Sequence, residues 1–569
     1  MSQSQVSPVT LSAAPPMGVK LGSQLSIMMF FQYAIWGAWL PILFPYLMGY
    51  RQMELLDVSI VFMVGAVGAI VAPFIAGQIA DRYFNTEKFL GLSHIIGGIL
   101  VWQLSWVSGF VPLMLFSLLY SIIYSPTLSL TNSLAFHHLP DRDRDFGRVR
   151  MWGTIGWIVA GITIGQWLYH THTINDDEAA RGVVAKQFSD PKETANLLKQ
   201  HRLTPKEGDA IVGVLVSQND TEVVMSVVNA EKKAEEKKVA KSNVKSLLPL
   251  YATLAATNDK GEPDVTKVAA IQAALSPAEP LNESALKQLG EKAAKEKWFN
   301  RETLAGPITF NQQKGMADAF KFSGGLGILM GLFCFMLPAT PPKKEGKKSS
   351  AAAKALGEIK RQPLITLFLL AVPVSCIHQF YFVHAASFAG KYQATAEGFV
   401  DFVNSIFGVG GGGLMTIGQM SEFAVLALIP LVAKRWSRKT LLAIGLAAYA
   451  LRMFLFAYID LIPLPNIVTV MLGISLHGVC FGCFIFVAFM IVDEETTGDV
   501  RASAQSLFNL VIVGIGIIVG SLIAIYVVGS WAGSNHTKLF GVPMFAALAC
   551  LAILLVAYPG GRRLPKHPD

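Results

Sequence analysis

Apolar residues in this 569-residue chain gather into twelve long runs separated by short polar connections. The runs centre on 24–46, 58–80, 89–108, 111–133, 150–169 and 322–340, then on 363–386, 412–433, 440–459, 466–491, 503–529 and 540–558. Each is close to the roughly 20 residues that an α-helix, rising about 1.5 Å per residue, needs to cross a hydrocarbon core of about 30 Å. The pattern predicts an all-α membrane protein of twelve transmembrane helices in two six-helix halves. Helices 1–5 fall in 21–169, helix 6 in 322–341 and helices 7–12 in 363–558. One polar stretch, 170–321, interrupts the series between helices 5 and 6.

Composition agrees with the runs. The chain is 52% hydrophobic and 15% charged, with a mean hydropathy of +0.46, which is too apolar for a soluble protein of this length. The interruption holds 21 Lys/Arg and 21 Asp/Glu, so the net charge of +8 belongs to the apolar part. That charge sits in short clusters between uncharged runs, which excludes a nucleic-acid binder despite the pI near 9.0. All five cysteines lie inside apolar runs and read as small hydrophobes, and Cys480-x-x-Cys483 lacks the surroundings of a redox motif. No basic segment precedes the first apolar run, so 1–20 reads as a polar tail, not a signal peptide.

Positive charge also gives the orientation, because cytoplasmic connections retain Lys and Arg. One side of the predicted bundle collects 22 of them, including the basic linker 342–362 and the tail 559–569; the other has Arg51, Lys391 and Lys538. Both termini are therefore expected in the cytoplasm, and 170–321 outside. Rich in Ala, Lys and Glu, this insertion is expected to be helical. Asp190-Pro191-Lys192-Glu193, Thr204-Pro205-Lys206-Glu207 and Ser276-Pro277-Ala278-Glu279 each offer a cap, a Pro at the first helical position and a Glu at the third. The run from Ala230 to Lys245 reads as a charged helix or a solvated linker.

Two parallel six-helix halves are the arrangement expected of a transporter whose site lies between the halves near mid-membrane. After the second run, Gly77-Gln78-Ile79-Ala80-Asp81-Arg82 resembles the G-x-x-x-D-R loop of the major facilitator superfamily, in which Asp81 and Arg82 would form a conformational latch.

Polar groups inside the runs are the candidates for chemistry. Glu422 is the one acidic residue deep in a run. Even lenient insertion scales charge about 2.5 to 3.5 kcal/mol for an ionised carboxylate there, so it should face the bundle interior. Substrate or proton handling is one reading, and a structural ion pair with Arg452 is the other. Gln419 lies one turn before Glu422 on the same face. Arg150, Thr154 and Trp157 form a stripe at i, i+4 and i+7 that presents a cation, a hydroxyl and a π face. Arg150 alone also fits a snorkelling anchor. Gln32, Trp36 and Trp39 repeat the stripe, with packing and binding equally open, whereas Thr127, Thr131 and Asn132 read as glue between helices. His378, Gln379, His477 and Phe481 complete the set. The glycines at Gly408 and Gly410 to Gly413 read as a flexible entry or a close helix approach, since no phosphate-loop Lys follows. No catalytic, metal or cofactor spacing stands out, so neither an enzyme nor a cofactor is expected.

At these residues the chain resembles the bacterial nucleoside:proton symporter family of the major facilitator superfamily. The resemblance is carried by Phe31-Gln32-Tyr33-Ala34-Ile35-Trp36-Gly37-Ala38-Trp39-Leu40, Pro126-Thr127-Leu128-Ser129-Leu130-Thr131-Asn132 and Arg150-Met151-Trp152-Gly153-Thr154-Ile155-Gly156. It extends to Gln419-Met420-Ser421-Glu422, Leu451-Arg452-Met453-Phe454-Leu455-Phe456-Ala457-Tyr458 and Arg501-Ala502-Ser503-Ala504-Gln505, and it covers all the runs but not the insertion. It implies a symporter that moves nucleosides with protons by alternating access, and a monomer in the cell inner membrane is expected. Arg150, Thr154, Gln379, Gln419, Glu422 and Phe481 match family binding positions, and Trp157 replaces a family Phe. Three departures stand out: Phe382 for an Asn, His477 for a Tyr and Gly482 for an Asp. Loss of that acid leaves Glu422 as the deep carboxylate, with His477 as a candidate to share proton work. A sugar or polyol carrier on the same fold, and a sensor whose insertion binds the ligand, are the competing readings.

Overall fold

The computed structural model describes residues 15–75, 84–228, 234–277, 279–341, 351–394, 398–432, 435–497 and 500–559. It divides into two compact units, one of Met1–Thr171 with Gln313–Asp569 and one of His172–Gln312.

The larger unit is helical. Its first half comprises α1 (Val19–Tyr50), α2 (Leu55–Ile75), α3 (Thr86–Gln103), α4 (Phe110–His138), α5 (Arg142–Thr171) and α6 (Ala317–Cys334). The second half comprises α7 (Leu364–Gln393), α8 (Gly412–Val432), α9 (Arg438–Ala457), α10 (Asn466–Glu494), α11 (Ser503–Ala532) and α12 (His536–Ala557). Short helices at Ala351–Ile359 and Phe399–Phe407 lie in the connections. Among the described residues, nine helices are long and apolar enough to cross a membrane. The apolar character continues on the outside: Leu92, Ile96 and Ile99 on α3 and Val111, Leu115 and Leu119 on α4 are exposed at helical spacing. Helices apolar all round suit a lipid solvent, not water.

Within the first half α1 packs on α5 and α6, α2 on α4, and α3 on α6; within the second, α7 packs on α11, α8 on α10, and α9 on α12. Small residues permit the closest of these approaches. A Cβ at Gly98 of α3 would lie 2.7 Å from the carbonyl oxygen of Gly324 on α6, so this seam holds backbone against backbone. The halves meet along α5 with α8, α2 with α11, and α1 with α7. Gly408 has φ +69°, and a Cβ there would fall 1.8 Å from the backbone of Gly165, so this glycine segment serves a close approach. It is sealed by Val409 N–H donating to the Gly165 carbonyl at 3.0 Å and by Gln166 donating to the Ser405 carbonyl at 2.9 Å.

The smaller unit corrects the expectation of an all-helical insertion. Between the helices Asp176–Phe188 and Pro191–Lys199 and those at Val265–Ala274 and Glu283–Lys295 lies an antiparallel five-stranded sheet. Its strands are β1 (Gln200–Pro205), β2 (Ile211–Gln218), β3 (Glu222–Val228), β4 (Ala234–Ala240) and β5 (Val244–Pro249), in the order β4-β3-β2-β1-β5. Valine-rich β2 and β3 carry the pleat, with Leu203, Val223 and Met225 buried beneath it. Asp190 caps its helix with Pro191 at the first position, as expected. Thr204 and Pro205 instead pair with β5, and Ser276-Pro277 follows the end of a helix, the next one being capped by Asn282. The charged run expected as helix or linker contains β4, an edge strand whose Lys and Glu side chains guard an exposed ladder edge. At the start of Val265–Ala274, the Thr266 hydroxyl and two backbone N–H groups hold the Asp264 carboxyl below its ordinary range. Asp81 and Arg82, the expected latch, lie outside the described residues.

Candidate functional site

A cavity of about 900 Å³ opens between the two halves of the helical unit. Arg150, Thr154, Trp157, Gln379, Gln419, Glu422, His477 and Phe481 all line it. They come from α5, α7, α8 and α10. On α5 the i, i+4, i+7 spacing sets Arg150, Thr154 and Trp157 along one wall. A Cβ at Gly37 would lie 2.8 Å from the Trp157 backbone, so α1 presses directly on α5 at this level. The Arg150 guanidinium lies over the Tyr33 ring at 4.0 Å. Among the described residues it makes no ion pair, which leaves a cation at the cavity wall.

On α7, Gln379 donates to the Ser521 hydroxyl of α11 at 3.0 Å, which fixes the amide at the opposite wall. On α10, His477 and Phe481 flank the entry to a π-helical segment, Phe481–Phe486. Such an irregular turn re-aims the side chains around it and is common where helices bind ligands.

Glu422, His477 and Arg452 form a chain of long contacts. His477 Nε2 lies 3.5 Å from Glu422 Oε2 and 3.4 Å from the Gln419 amide nitrogen; its Nδ1 lies 3.4 Å from Arg452 Nη1. Glu422 and Arg452 therefore do not pair directly, and the imidazole stands between them. Arg452 is fully buried, with its guanidinium 3.8 Å from the Tyr381 ring centre and 5.0 Å from that of Tyr449. His378 Nδ1 is 2.7 Å from the Tyr449 hydroxyl, and its ring lies 5.3 Å from that of His477.

The other polar candidates divide. Gln32 is fully buried and bonded to Thr127 and His94, whereas Trp36, Trp39 and Asn132 face the cavity. Thr131 bonds back to its own helix. Phe382 lines the cavity and meets the His477 ring edge-on at 5.5 Å. At Gly482 an added Cβ would lie 2.7 Å from Val425 Cγ1, so the side chain of Val425 on α8 packs against this position.

Tyr381, Tyr449 and Asn509 are not singled out by the sequence, and Tyr33 and Gln505 enter there only within the stretches that carry the resemblance. Two of these had a signal: a deep Arg452 needs partners, and Tyr449 lies three residues before it on the same helix face. Tyr381 stands in the same relation to His378. Gln505 and Asn509 are four apart at the start of α11 and line the cavity.

With the geometry in place, comparison with known proteins is informative. The family model described as nucleoside H+ symporter matches residues 17–186 and 314–559, which leaves out most of the smaller unit. Putative nucleoside transporter YegT of Escherichia coli (strain K12) is 26% identical over 518 residues, covering 88% of this chain and 83% of its own length. Nucleoside permease NupG of the same organism is 23% identical, covering 97% of this chain and all of NupG. The crystal structure of nucleoside transporter NupG superposes with a TM-score of 0.60 at 18% identity, covering 94% of this chain and 98% of that chain. A D-xylose-proton symporter structure, at 11% identity, gives 0.51 over 95% of this chain and 98% of that chain, and shares the fold. By the extent of the family match, which takes in every helix that lines the cavity, the chain belongs to the nucleoside H+ symporter family.

Proposed function

We propose that this protein is a secondary active transporter that brings nucleosides across the bacterial cytoplasmic membrane together with protons, by alternating access. The observation that carries this reading is the cavity between the halves, in which a cation without an ion pair among the described residues, a carboxylate, two amides and two large π faces converge. A nucleoside has a planar base and a hydroxyl-bearing ribose, and the set offers a partner for each. Trp157 and Phe481 stack the base, while Arg150, Thr154, Gln379 and Gln419 bond its polar edge and the ribose hydroxyls. Glu422 carries the proton.

In this reading α1 to α12 all cross the membrane, both termini are cytoplasmic and 170–321 lies outside, consistent with the clustering of Lys and Arg on one side. Asp81 and Arg82 latch the cytoplasmic ends of the halves, and the chain works as a monomer. The first half, the insertion and the second half act as separate modules, with the insertion dispensable for flux.

The test is uptake of labelled uridine and adenosine by proteoliposomes, with and without an inward proton gradient, against glucose and empty vesicles. Accumulation that requires the gradient is the expected result. Glucose uptake without nucleoside uptake would replace the substrate class, and equilibration without accumulation would remove the coupling.

A further inference from the structure

We propose that Arg452 is a positioning residue for proton coupling: it fixes His477 as the neutral tautomer with its proton on Nε2, so that the imidazole donates toward Glu422 and carries no transported proton. The inference deepens the reading of Glu422 as proton carrier and rests on it.

A guanidinium has five N–H donors and no acceptor. Its Nη1 faces His477 Nδ1 at 3.4 Å, so that ring nitrogen has to accept. A neutral imidazole that accepts at one nitrogen donates from the other. Nε2 faces the Glu422 carboxylate at 3.5 Å and the Gln419 amide at 3.4 Å. The carboxylate takes that N–H; the Gln419 side chain, placed with its nitrogen toward the ring, shares it only with its amide oxygen and nitrogen exchanged. A proton added at Nδ1 would instead point at the guanidinium N–H and set a second positive charge beside the first, away from bulk water.

The surroundings supply no other counter-charge. Around His477 stand Tyr381 and His378 from α7, Gln419 and Glu422 from α8, Tyr449 and Arg452 from α9, and Cys480 on its own helix. Tyr381 stacks on the imidazole at 5.2 Å, and His378 is engaged with the Tyr449 hydroxyl. Arg452 has no carboxylate within ion-pair distance among the described residues, and its Nε and Nη2 are buried without hydrogen-bond partners. Two π faces and one imidazole nitrogen hold it in place of an acid. His477 stands between its charge and Glu422, while the cation that acts on Glu422 directly is Arg150 of α5. Counting Arg150, Arg452 and Glu422, the cluster alternates between singly and doubly positive as Glu422 loses and gains its proton. His477 keeps its charge unchanged through that cycle.

The test uses full-length protein labelled with ¹⁵N-histidine in bilayers, with His477→Asn to assign the signal. The expected spectrum has an unprotonated Nδ1 and a protonated Nε2 throughout about pH 5 to 8. A proton on Nδ1, or an imidazolium within that range, would overturn the inference whatever substrate the protein carries. Transport gives the second readout. Arg452→Lys keeps a donor-only cation and should hold gradient-driven accumulation within about threefold of the unmodified protein, whereas Arg452→Gln, which can turn an acceptor to Nδ1, should lower it about tenfold while gradient-free exchange continues. Unchanged accumulation in Arg452→Gln would overturn the role. Should either variant fail to fold, the spectrum of the unmodified protein still decides. If Glu422→Gln accumulates normally while the spectrum is as expected, the proton-carrier reading fails and the tautomer stands.

Discussion

The two halves of the helical unit each bury a cluster of Gln, His and Tyr, and they use it differently. In the first half the Gln32 amide donates to the Thr127 hydroxyl at 2.9 Å, its oxygen lies 2.9 Å from His94 Nε2, and the Tyr124 hydroxyl donates to the Gln32 carbonyl. In the second half the contacts around His477 stretch to 3.4 and 3.5 Å, and Arg452 keeps two nitrogens without partners. A network of short bonds fixes one packing of its helices, although His94 Nδ1 there is buried without a partner. An open one, holding a carboxylate and a cation, leaves donors and acceptors for a ligand and a proton. The same residue types therefore serve as glue on one side of the cavity and as machinery on the other, and bond length tells them apart.

The sharpest way to break this comparison is Glu422→Gln. The substitution keeps the side chain's shape and removes its charge, so gradient-driven accumulation of uridine in proteoliposomes should be abolished while exchange without a gradient persists. Normal accumulation would remove the functional difference between the clusters. Next in size is Trp157→Ala, which should weaken nucleoside binding by about 1 to 3 kcal/mol if the indole stacks a base. Calorimetric titration of detergent-solubilised protein measures it, and an unchanged Kd would take Trp157 out of the site.

How far the sequence could foresee this depends on what each feature costs. Helices are legible because a run of about 20 apolar residues has few other uses. Glu422 is legible because a carboxylate at that depth is expensive, and Arg150, Thr154 and Trp157 because their spacing matches the helix period. The sheet of the smaller unit was obscured: Thr204-Pro205 has the letters of a helix start, yet the valines of β2 and β3 recruit it into a ladder. Helical periodicity says which residues share a face but not which helix that face meets. The placing of His477 between Glu422 and Arg452, in place of a direct ion pair, follows from how α8, α9 and α10 pack, and no spacing within one helix contains that.

On the structural side of the comparison, Gln32→Leu should lower thermal stability by an amount equivalent to about 1 to 3 kcal/mol, because it leaves His94 and Thr127 buried with polar atoms unmet. Nucleoside affinity should stay within about twofold, as expected for a residue outside the binding surface. A loss of affinity without a loss of stability would assign Gln32 to the site and blur the distinction between glue and machinery. Combining Gln32→Leu with His94→Phe should cost less than the sum of the two single changes, since each alone strands the polar atom of the other.

The smallest effect is expected at Thr131, and it tests whether burial of a hydroxyl alone makes a residue matter. Thr131 is fully buried, as Gln32 is, but its hydroxyl donates to the Thr127 and Leu128 carbonyls of its own helix at 3.0 and 3.1 Å. Those carbonyls already accept bonds from the helix backbone, so losing the hydroxyl strands nothing on another helix. Thr131→Val preserves the branched shape and should change stability by no more than about 0.6 kcal/mol, the average found for polar contacts between membrane helices. Thermal denaturation in detergent, run beside Gln32→Leu, checks it. A cost as large as that of Gln32→Leu would mean that hydroxyls bonded within one helix also tie α4 to its neighbours, and that the line between closed and open networks has to be drawn by burial instead of by partners.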